Sequence, residues 1–411
     1  MTVSRTDGTE RSDVVERGRR IRLLVMTVMP SPYQRELFAA MAAHPGLDVR
    51  VIYYTSSSPD RQWGRPRLPA SSRVLPGLAL HSISTCCCLN PTVVSEIGKG
   101  AYDLAVVGDY FTLTAQLAMR YLTWRGIPWV FWGEAPGMSP RGPVGRGLRR
   151  LAQQPIRRHA AAVAAIGTRA AALYRRILPP DVPVFNIPYH CDLAPYLAIP
   201  RPRRSGMPSV SVPEVRFLFS GQLIHRKGVD VLLRAFERVC ETGAAASLTI
   251  VGDGPDRHRC RRLIGPEWRP RVRFLGFHQP DDLPNVFAES DVFVLPSRYD
   301  GWGVVVNEAL AAGMPIIATS AVGAGADLIE PGRNGFVVAP GDVEALTAAM
   351  KRFVAEPTLV HRLGTRSREI AGDWTTARGA ERWFHVCRYV LGRCRPRGAA
   401  TAPEECIACI G

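Results

Sequence analysis

The sequence of 411 residues has little lysine and no long apolar run. Only Lys99, Lys227 and Lys351 are lysine among its 52 basic residues, so its basic character comes from arginine. No stretch reaches the about 18 consecutive apolar residues that are typical of a membrane-spanning helix. The first 20 residues are polar and lack the apolar core of a signal peptide. These absences predict a cytoplasmic chain with a disordered leader at residues 1–20.

Several signatures of well-known chemistry are also absent. The sequence has no G-x-x-x-x-G-K-[ST] phosphate loop, no H-E-x-x-H zinc motif and no G-x-S-x-G nucleophile turn. Most of the ten cysteines lie in apolar runs, where a thiol packs as a small hydrophobe. The pair Cys406 and Cys409 has no second pair at the spacing that a zinc site needs. We therefore expect no metal and no required cofactor.

The sequence has an excess of positive charge, with 52 Lys+Arg against 36 Asp+Glu and a net charge of +16. Nine arginines and no acidic residue occur between Ala135 and Pro180. Within this stretch, Arg141–Arg158 has a helical pattern with arginines on one side and Leu148 and Leu151 on the opposite side. Pro155 is expected to kink this helix. A basic amphipathic segment predicts contact with an anionic membrane surface, here on the inner face. The alternative is a solvated face in an arginine-rich protein.

Short apolar runs alternate with helical patterns along most of the chain, as in Ile21–Val28 followed by Gln34–Ala43. Further strands are predicted at Asp48–Thr55, Leu78–Ser84, Asp103–Asp109, Ile127–Glu134, Ala161–Gly167, Val184–Tyr189, Val215–Gln222, Ser247–Asp253, Val272–Phe277, Asp291–Pro296 and Pro315–Thr319. Strands alternating with helices favour parallel sheets covered on both faces. The predicted fold class is therefore α/β, with two doubly wound Rossmann-like domains that face a cleft between them.

A proline-rich break interrupts this alternation and suggests where the domains divide. The length also favours two domains, at roughly 100–200 residues per domain. After the leader, the predicted divisions are an N-terminal domain at 21–193, a hinge at 194–213, a C-terminal domain at 214–373, a final helix at 374–393 and a tail at 394–411. The final segment has Trp383, Val386 and Val390 in helical spacing.

The first candidate site is the segment that runs from Asp300 to Glu308, DGWGVVVNE, between a strand and a helix that begins near Val304. Unpaired amides at a helix start, with Gly301 and Gly303 allowing close approach, suit a diphosphate. Ionised carboxylates are strong acceptors for sugar and ribose hydroxyls. The alternative is that Asp300 caps the helix and Glu308 is merely solvated.

The second candidate site is the segment Gly221–Gly228, GQLIHRKG, which also joins a strand end to a helix start. Lys227 is one of only three lysines, and a compact ammonium at this place is typical of phosphate binding. Arg226 offers a second cation beside it. A lysine on an ordinary surface loop is the alternative.

Together these segments resemble a known family. SRYDGWGVVVNEALAAGMPIIAT resembles the carboxylate-x7-Glu signature of retaining glycosyltransferases of family 4, and GQLIHRKGVDVLL resembles the phosphate loop before it. IVGDGP and VRFLGFHQPDDLPNVFAESDVFVLPS match the intervening segments, so the resemblance is strong over about 215–354. It implies a GT-B fold, with an N-terminal acceptor-binding domain, a C-terminal nucleotide-sugar-binding domain and a last helix that crosses back to the first. It also implies transfer of a hexose-like sugar from a UDP-, GDP- or similar nucleotide sugar to an acceptor hydroxyl, with retention. The product would be a glycan, a glycolipid or a small-molecule glycoside.

The resemblance implies roles for individual residues. Glu308 would bind the ribose and Asp300 the donor sugar. The diphosphate would be held by Gly221, Arg226, Lys227, Gly303, Val304 and Val305, and the nucleobase would face Phe277 and His278. The chain departs from the family at Asp300, where Glu is usual, and at Gln222, where Arg is usual. We expect Arg226 to supply the missing cation.

The acceptor side is less defined, because no histidine matches the one that many family members carry in this domain. Strand ends offer Tyr33, Asp109 and Glu134 instead. Two other function classes stay open: a GT-B-like nucleotide-sugar epimerase, and a basic non-catalytic protein that binds glycan or nucleic acid. No nucleic-acid motif is present, so a nucleic-acid partner is not expected.

Overall fold

A computed structural model describes residues 19–58, 67–79, 88–135, 142–201 and 214–393. The predicted leader up to residue 18, hinge residues 202–213, Arg141 and the tail from residue 394 lie outside the described residues. The chain divides into two compact units. Unit 1 combines the chain up to Tyr189 with the chain from Thr376, and unit 2 comprises His190–Thr375.

Unit 1 is built on a seven-stranded parallel sheet with the order β3-β2-β1-β6-β7-β8-β9. Its strands are β1 (Ile21–Thr27), β2 (Leu47–Tyr53), β3 (Ser72–Val74), β4 (Leu78–Ala79), β5 (Cys88–Leu89), β6 (Leu104–Val107), β7 (Trp129–Gly133), β8 (Ala162–Ala165) and β9 (Val184–Asn186). Its first helices are α1 (Pro32–Ala43), α2 (Val93–Lys99), α3 (Leu113–Trp124), α4 (Pro143–Ala152), α5 (Gln154–His159) and α6 (Thr168–Ile177). The central strands β6, β7 and β8 are buried along their whole length, because helices cover both faces of the sheet.

Unit 2 is built on a six-stranded parallel sheet with the order β12-β11-β10-β13-β14-β15. Its strands are β10 (Val215–Ser220), β11 (Ala246–Val251), β12 (Val272–Gly276), β13 (Val292–Leu295), β14 (Ile316–Thr319) and β15 (Gly335–Val338). Its helices are α7 (Ala194–Leu197), α8 (Val229–Cys240), α9 (Arg257–Leu263), α10 (Leu283–Ala288), α11 (Val305–Ala311), α12 (Gly325–Leu328), α13 (Val343–Ala355) and α14 (Thr358–Ala371). Short 3₁₀ turns lie at His225–Lys227, Arg269–Arg271, Pro280–Asp282 and Gly372–Trp374.

The last helix, α15 (Thr376–Arg393), belongs to unit 1 and packs on α1. Trp383 is 1% exposed and its ring stands perpendicular to that of Trp132, with centroids 5.5 Å apart. Glu381 accepts a hydrogen bond from His44 at 3.0 Å. The helix therefore supplies part of the core of the unit that the first half of the chain builds.

The same arginine–aspartate contact fastens the first strand of each sheet to its neighbour. In unit 1, the main-chain N–H and guanidinium of Arg22 donate to Asp103, with distances of 2.8–3.2 Å. In unit 2, Arg216 makes the same three bonds to Asp291 at 2.9–3.0 Å. Both aspartates are buried and both come just before a strand, so each contact lies at the amino end of its parallel sheet.

Two regions differ from the sequence-based expectation. Of the strand predicted at Leu78–Ser84, the described residues contain only β4, which pairs antiparallel with β5 outside the main sheet. The first part of the predicted hinge forms α7, and Arg201 after it donates to the carbonyl oxygens of Ala312, Ser290 and Phe287 at 2.5–2.9 Å. Prolines in this stretch thus permit a short helix that packs within unit 2.

Candidate functional site

The strand order of unit 2 creates a crevice at the carboxyl edge of its sheet. From β10 the chain moves outward through β11 and β12, then returns to β13 on the other side of β10. Loops that leave β10 and β13 therefore diverge, and ligands of open parallel sheets bind at such a point. The loop after β10 is Gly221–Gly228, and the loop after β13 carries Asp300 and Gly303. Both predicted donor segments thus lie at the switch point.

Asp300 and the two predicted cations are in direct contact. The Lys227 Nζ donates to Asp300 Oδ2 at 2.5 Å, and Arg226 Nη1 donates to Asp300 Oδ1 at 3.3 Å. Arg226 Nη1 also donates to the carbonyl oxygen of Tyr299 at 2.9 Å. The side chains of Lys227 and Asp300 are each 11% exposed, so this ion pair is largely shielded from water. One carboxylate therefore fixes both cations.

The cations also set the charge of Asp300. Burial opposes its ionisation, but attraction to Lys227 and Arg226 outweighs burial and lowers the pKa below the ordinary value. The start of α11 has no side-chain cap, so Asp300 does not cap that helix. The capping alternative raised from sequence is therefore wrong.

The turn after Asp300 is shaped by glycine and held by tryptophan. Gly303 has φ +93°, a conformation that L side chains rarely adopt. Trp302 is buried, and its Nε1 donates to Asn307 Oδ1 at 2.9 Å. In the described part of the chain, the amides of Gly303, Val304 and Val305 have no hydrogen-bond acceptor, as is usual where a helix begins.

The remaining predicted donor residues occupy the same edge of the sheet. Glu308 lies half-buried in the first turn of α11. Gly221 directly follows β10, and its carbonyl oxygen lies 1.9 Å from where a Cβ on Gly252 would stand, so the loops after β10 and β11 touch. Phe277 and His278 follow β12 and are half-buried, two strands away from β10.

Two residues that the sequence analysis did not single out complete this region. Arg298 forms a bidentate pair with Asp230, with Nη1–Oδ1 and Nη2–Oδ2 distances of 2.7 and 2.8 Å. The signal in the sequence is their spacing: Asp230 follows the Lys-Gly pair at 227–228, and Arg298 precedes Asp300 by two positions. Neither spacing alone would have identified a contact.

Unit 1 has its own switch point, between β1 and β6. Tyr33 lies in the first turn of α1 after β1, Asp109 follows β6 and Glu134 follows β7, so the three predicted acceptor-side residues share one edge of the sheet. Tyr33 packs edge-on against Tyr189 with ring centroids 4.8 Å apart. The Glu134 side chain is exposed, and its carbonyl oxygen accepts from Tyr174 Oη at 2.9 Å.

Asp109 is unusual among them because it is buried, with 3% exposure. Its carboxylate accepts from the amides of Thr112 and Phe111 at 2.9 and 3.1 Å, and from Thr112 Oγ1 at 3.2 Å. Burial raises the pKa of Asp109 to about 6, although these hydrogen bonds act in the opposite direction. Asp109 thus fastens the start of α3 while titrating close to neutral pH.

Among the described residues, no group of three or more His, Cys, Asp or Glu side chains is arranged to hold a metal ion. No helix in the described ranges is long and apolar enough to cross a membrane.

Comparison with known proteins gives a consistent result for unit 2. The family model described as "Glycosyl transferases group 1" matches residues 214–356. Alpha-D-kanosaminyltransferase of Streptomyces kanamyceticus is 32% identical over 147 residues, which are 36% of this chain and 38% of that protein. A GDP-mannose-dependent monoacylated alpha-(1-6)-phosphatidylinositol monomannoside mannosyltransferase of Corynebacterium glutamicum is 31% identical over 175 residues, 41% of this chain and 45% of that protein. The matches thus span less than half the length of either relative.

Solved structures match over both units. Sucrose-phosphate synthase from Thermosynechococcus elongatus has a TM-score of 0.71 at 21% identity, covering 91% of this chain and all of that one. The Anabaena protein HepE in complex with UDP-glucose has a TM-score of 0.64 at 18% identity, covering 91% of this chain and all of that one. The fold is GT-B, and the chain resembles GT-B glycosyltransferases, as the sequence predicted.

Proposed function

We propose that this chain is a retaining glycosyltransferase that moves a sugar, of the hexose class, from a nucleotide sugar to an acceptor hydroxyl. The observation that carries the proposal is the contact of Asp300 with Lys227 and Arg226 at the switch point of unit 2. A relative and a structural neighbour support the class of donor, because the Corynebacterium relative is named as GDP-mannose-dependent and HepE was solved in complex with UDP-glucose. UDP-, GDP- or similar nucleotide sugars are thus the donors to test.

The chemistry of transfer fits the charges around Asp300. The bond between the anomeric carbon and the diphosphate oxygen breaks, and its electron pair stays on the departing diphosphate. The acceptor oxygen bonds to the same face of the anomeric carbon, and its proton passes to the departing phosphate oxygen. Lys227, Arg226 and the amides of Gly303 to Val305 stabilise the charge that develops on the diphosphate.

Preorganisation gives this arrangement its catalytic value. A flexible lysine in water must be ordered when the diphosphate binds, whereas Lys227 is already held by Asp300. Asp300 keeps its charge at neutral pH because its pKa is lowered, so it continues to hold both cations. In this proposal Asp300 also contacts the donor sugar, Glu308 binds the ribose, Gly221 lets the diphosphate approach, and Phe277 and His278 face the base.

The direct test is a panel of UDP-, GDP- and other nucleotide sugars, assayed for nucleotide release with wild type, Glu308→Ala and Lys227→Ala. We expect each substitution to reduce turnover at least a hundredfold, on the order of the loss of one transition-state contact. Lys351→Ala is the matched control, because Lys351 is exposed on α13. Equal turnover by wild type and Glu308→Ala would refute this site.

The same panel separates the proposal from the epimerase alternative. A transferase releases nucleotide and forms a new glycoside when an acceptor is present. An epimerase converts one nucleotide sugar into another and releases no nucleotide. Retention is tested by the anomeric configuration of the new glycoside in an NMR spectrum, and an inverted product would contradict that part of the proposal.

We further propose that unit 1 docks on an anionic membrane at the cytoplasmic face, through α4 and its surroundings. Val144, Leu148 and Leu151 recur at the spacing of one helical face and are 62–75% exposed. Arg146, Arg149 and Arg150 lie on the same helix. The helix is fastened to unit 1 by Gln116, whose Nε2 donates to the carbonyl oxygen of Ala152 at 2.8 Å.

Unit 1 exposes two further apolar side chains close in sequence to Gln116, which contacts α4. Phe111 and Leu113, at the start of α3, are 55% and 48% exposed. Between Ala135 and Pro180 the sequence has nine arginines and no acid. Exposed apolar side chains beside arginines match the interface of an anionic bilayer, where each basic residue contributes about 1 kcal/mol. The single helical pattern predicted over this stretch is observed as two helices, since α4 ends at Ala152 and α5 begins at Gln154.

Flotation with liposomes of phosphatidylglycerol and phosphatidylcholine tests this docking. We expect wild type to float with the anionic vesicles and not with phosphatidylcholine alone. Leu148→Ser with Leu151→Ser should abolish flotation, whereas Leu78→Ser, a change of another exposed leucine of unit 1, should not. No enrichment of wild type on anionic vesicles would refute the proposal.

A further inference from the structure

We propose that Arg298 is a positioning residue for donor binding: it locks the loop that presents Arg226 and Lys227 to the turn that carries Asp300. The inference rests on the proposed function, because the group to be positioned is the cation pair assigned above to the diphosphate. Arg298 has no hydrogen bond or ion pair with Asp300, Arg226's guanidinium or Lys227's ammonium among the described residues, so its effect must be indirect.

Arg298 bonds to both sides of the loop after β10. Its guanidinium forms the bidentate pair with Asp230, in the first turn of α8, and Nη1 also donates to the carbonyl oxygen of His225 at 2.9 Å. Its main-chain N–H donates to the carbonyl oxygen of Arg226 at 2.8 Å. One residue thus holds the 3₁₀ turn His225–Lys227 at its start, its middle and the helix that follows.

The lock is short and leaves the turn little freedom. Arg298 and Asp300 are separated only by Tyr299, whose carbonyl oxygen accepts from Arg226. Gly228 closes the turn with φ +70°, and a Cβ there would stand 2.1 Å from the carbonyl oxygen of Pro296. The loop after β10 therefore contacts the loop after β13 along its length from Pro296 to Asp300. A shift in one loop should move the other.

The ion pair itself is built to persist. Asp230 is 9% exposed, and this burial acts to raise the pKa of its carboxyl group. The hydrogen bonds and charge of Arg298 act in the opposite direction, as does the charge of Arg259. The net effect is a lowered pKa. Bidentate arginine–carboxylate pairs fix orientation as well as distance, which a lysine cannot do. A displacement of about 1 Å in such a frame can cost on the order of a hundredfold in rate.

The chain contains a matched control for this pair. Arg216 and Asp291 form an equivalent bidentate contact in the same unit, at the amino end of β10 and away from the site. Both arginines are part-exposed, with side chains 28% and 38% accessible, and both aspartates are buried. Removing either guanidinium should thus affect folding similarly, while only Arg298 should affect the cations.

The experiment compares Arg298→Met, Arg298→Lys and Arg216→Met with wild type in the full chain. Calorimetry measures the affinities of UDP, GDP, UMP and GMP, and thermal unfolding is measured for each variant. We expect Arg298→Met to weaken binding of the preferred diphosphate about tenfold or more while the matching monophosphate changes less than about twofold. Arg298→Lys should recover little of the loss, and Arg216→Met should leave both affinities unchanged.

Three results would overturn the inference. One is an unchanged diphosphate affinity in a folded Arg298→Met. Another is an equal loss of monophosphate and diphosphate affinity, and the third is the same loss in Arg216→Met, since either indicates a general effect on the fold. If the wild-type chain binds none of the four nucleotides, the proposed function itself is contradicted. This outcome is distinct from the three above, which contradict only the role of Arg298.

Discussion

Arg226 is positioned to supply the positive charge that is absent at Gln222. Gln222 stands where the resembling family usually has arginine, while Arg226 Nη1 lies 3.3 Å from Asp300 Oδ1 and its guanidinium is 5.9 Å from the ring centre of Tyr299. We predict that Arg226→Ala lowers kcat/KM for the donor by about ten- to a hundredfold, because one charge at the diphosphate is lost. Steady-state nucleotide release measures this loss.

Arg362→Ala is the appropriate control for Arg226→Ala. Arg362 is in the same unit, its side chain is 68% exposed, and its contact with Glu356 is long at 3.8 Å. Such surface pairs contribute little to stability. If Arg226→Ala keeps the donor kinetics of wild type, Arg226 does not replace the missing cation.

Asp109 predicts a specific dependence of stability on pH. Its pKa is raised from 3.8 to about 6 by burial, so the folded chain binds this proton more tightly than the unfolded chain does. Its stabilising contribution is complete below about pH 3.8 and is lost as the pH rises to 6. The loss is on the order of 2–3 kcal/mol in the free energy of unfolding.

The variant Asp109→Asn should remove this dependence while keeping one oxygen as an acceptor for Thr112. Urea unfolding at pH 4.5, 5.5 and 7 measures it, and Asp48→Asn, at an exposed site in unit 1, is the control. The difference in stability between variant and wild type should shift in favour of the variant as the pH rises. A constant difference across the three pH values would contradict the assigned cause.

The connection between β10 and α8 depends on Gly228. Gly228 has φ +70°, and its missing Cβ makes room for the carbonyl oxygen of Pro296. We predict that Gly228→Ala costs more than about 2 kcal/mol of unfolding free energy, the sum of a left-handed conformation and a steric clash. Gly332→Ala isolates the first contribution, because Gly332 has φ +78° and a Cβ added there would meet nothing within 4 Å. This substitution should cost about 1 kcal/mol.

Chemical denaturation of both glycine variants decides between these contributions. Equal costs for Gly228→Ala and Gly332→Ala would mean that the loop moves away from Pro296. In that case the join between the two loops is weaker than described, and the role assigned to Arg298 would need the same revision.

Periodicity in the sequence predicted most strands and helices, because buried parallel strands are short continuous apolar runs. The strand predicted at Val215–Gln222 is observed as Val215–Ser220, and the helix predicted at Gln34–Ala43 is observed as Pro32–Ala43. It did not predict β15, Gly335–Val338, which is short, begins with glycine and is partly exposed. Local pattern is weak where a strand lies at the edge of a sheet.

The candidate site was predictable in part, for a physical reason. The helix start and the rare Lys227 are local signals, so both could be found along the chain. The contacts of Asp300 with Lys227, and of Arg298 with Asp230, join positions 73 and 68 residues apart and depend on how β10 pairs with β13. The spacing of residues along the chain does not predict which strands pair.

Unit 1 is not continuous in sequence, because the last helix, α15, packs with the unit that starts with β1. Trp383 is 1% exposed, and Phe384 lies 2.3 Å from where a Cβ on Gly46 would stand. We predict that Trp383→Ala costs about 3–5 kcal/mol, the value of a large buried side chain lost from a core. Hydrogen exchange should then accelerate in α1 and β1, while β10 and β13 of unit 2 keep their protection.

Trp124→Ala is the control within the same unit, since Trp124 is 67% exposed on α3. It should leave exchange in α1 at the wild-type rate. If Trp383→Ala leaves α1 protected, α15 rests on unit 1 without stabilising it. If β10 loses protection as strongly as α1, the units unfold together, and the division at Tyr189 and Thr376 does not separate independent cores. Accelerated exchange in α1 with protection of β10 unchanged would show that the last helix stabilises only the unit built by the first half of the chain.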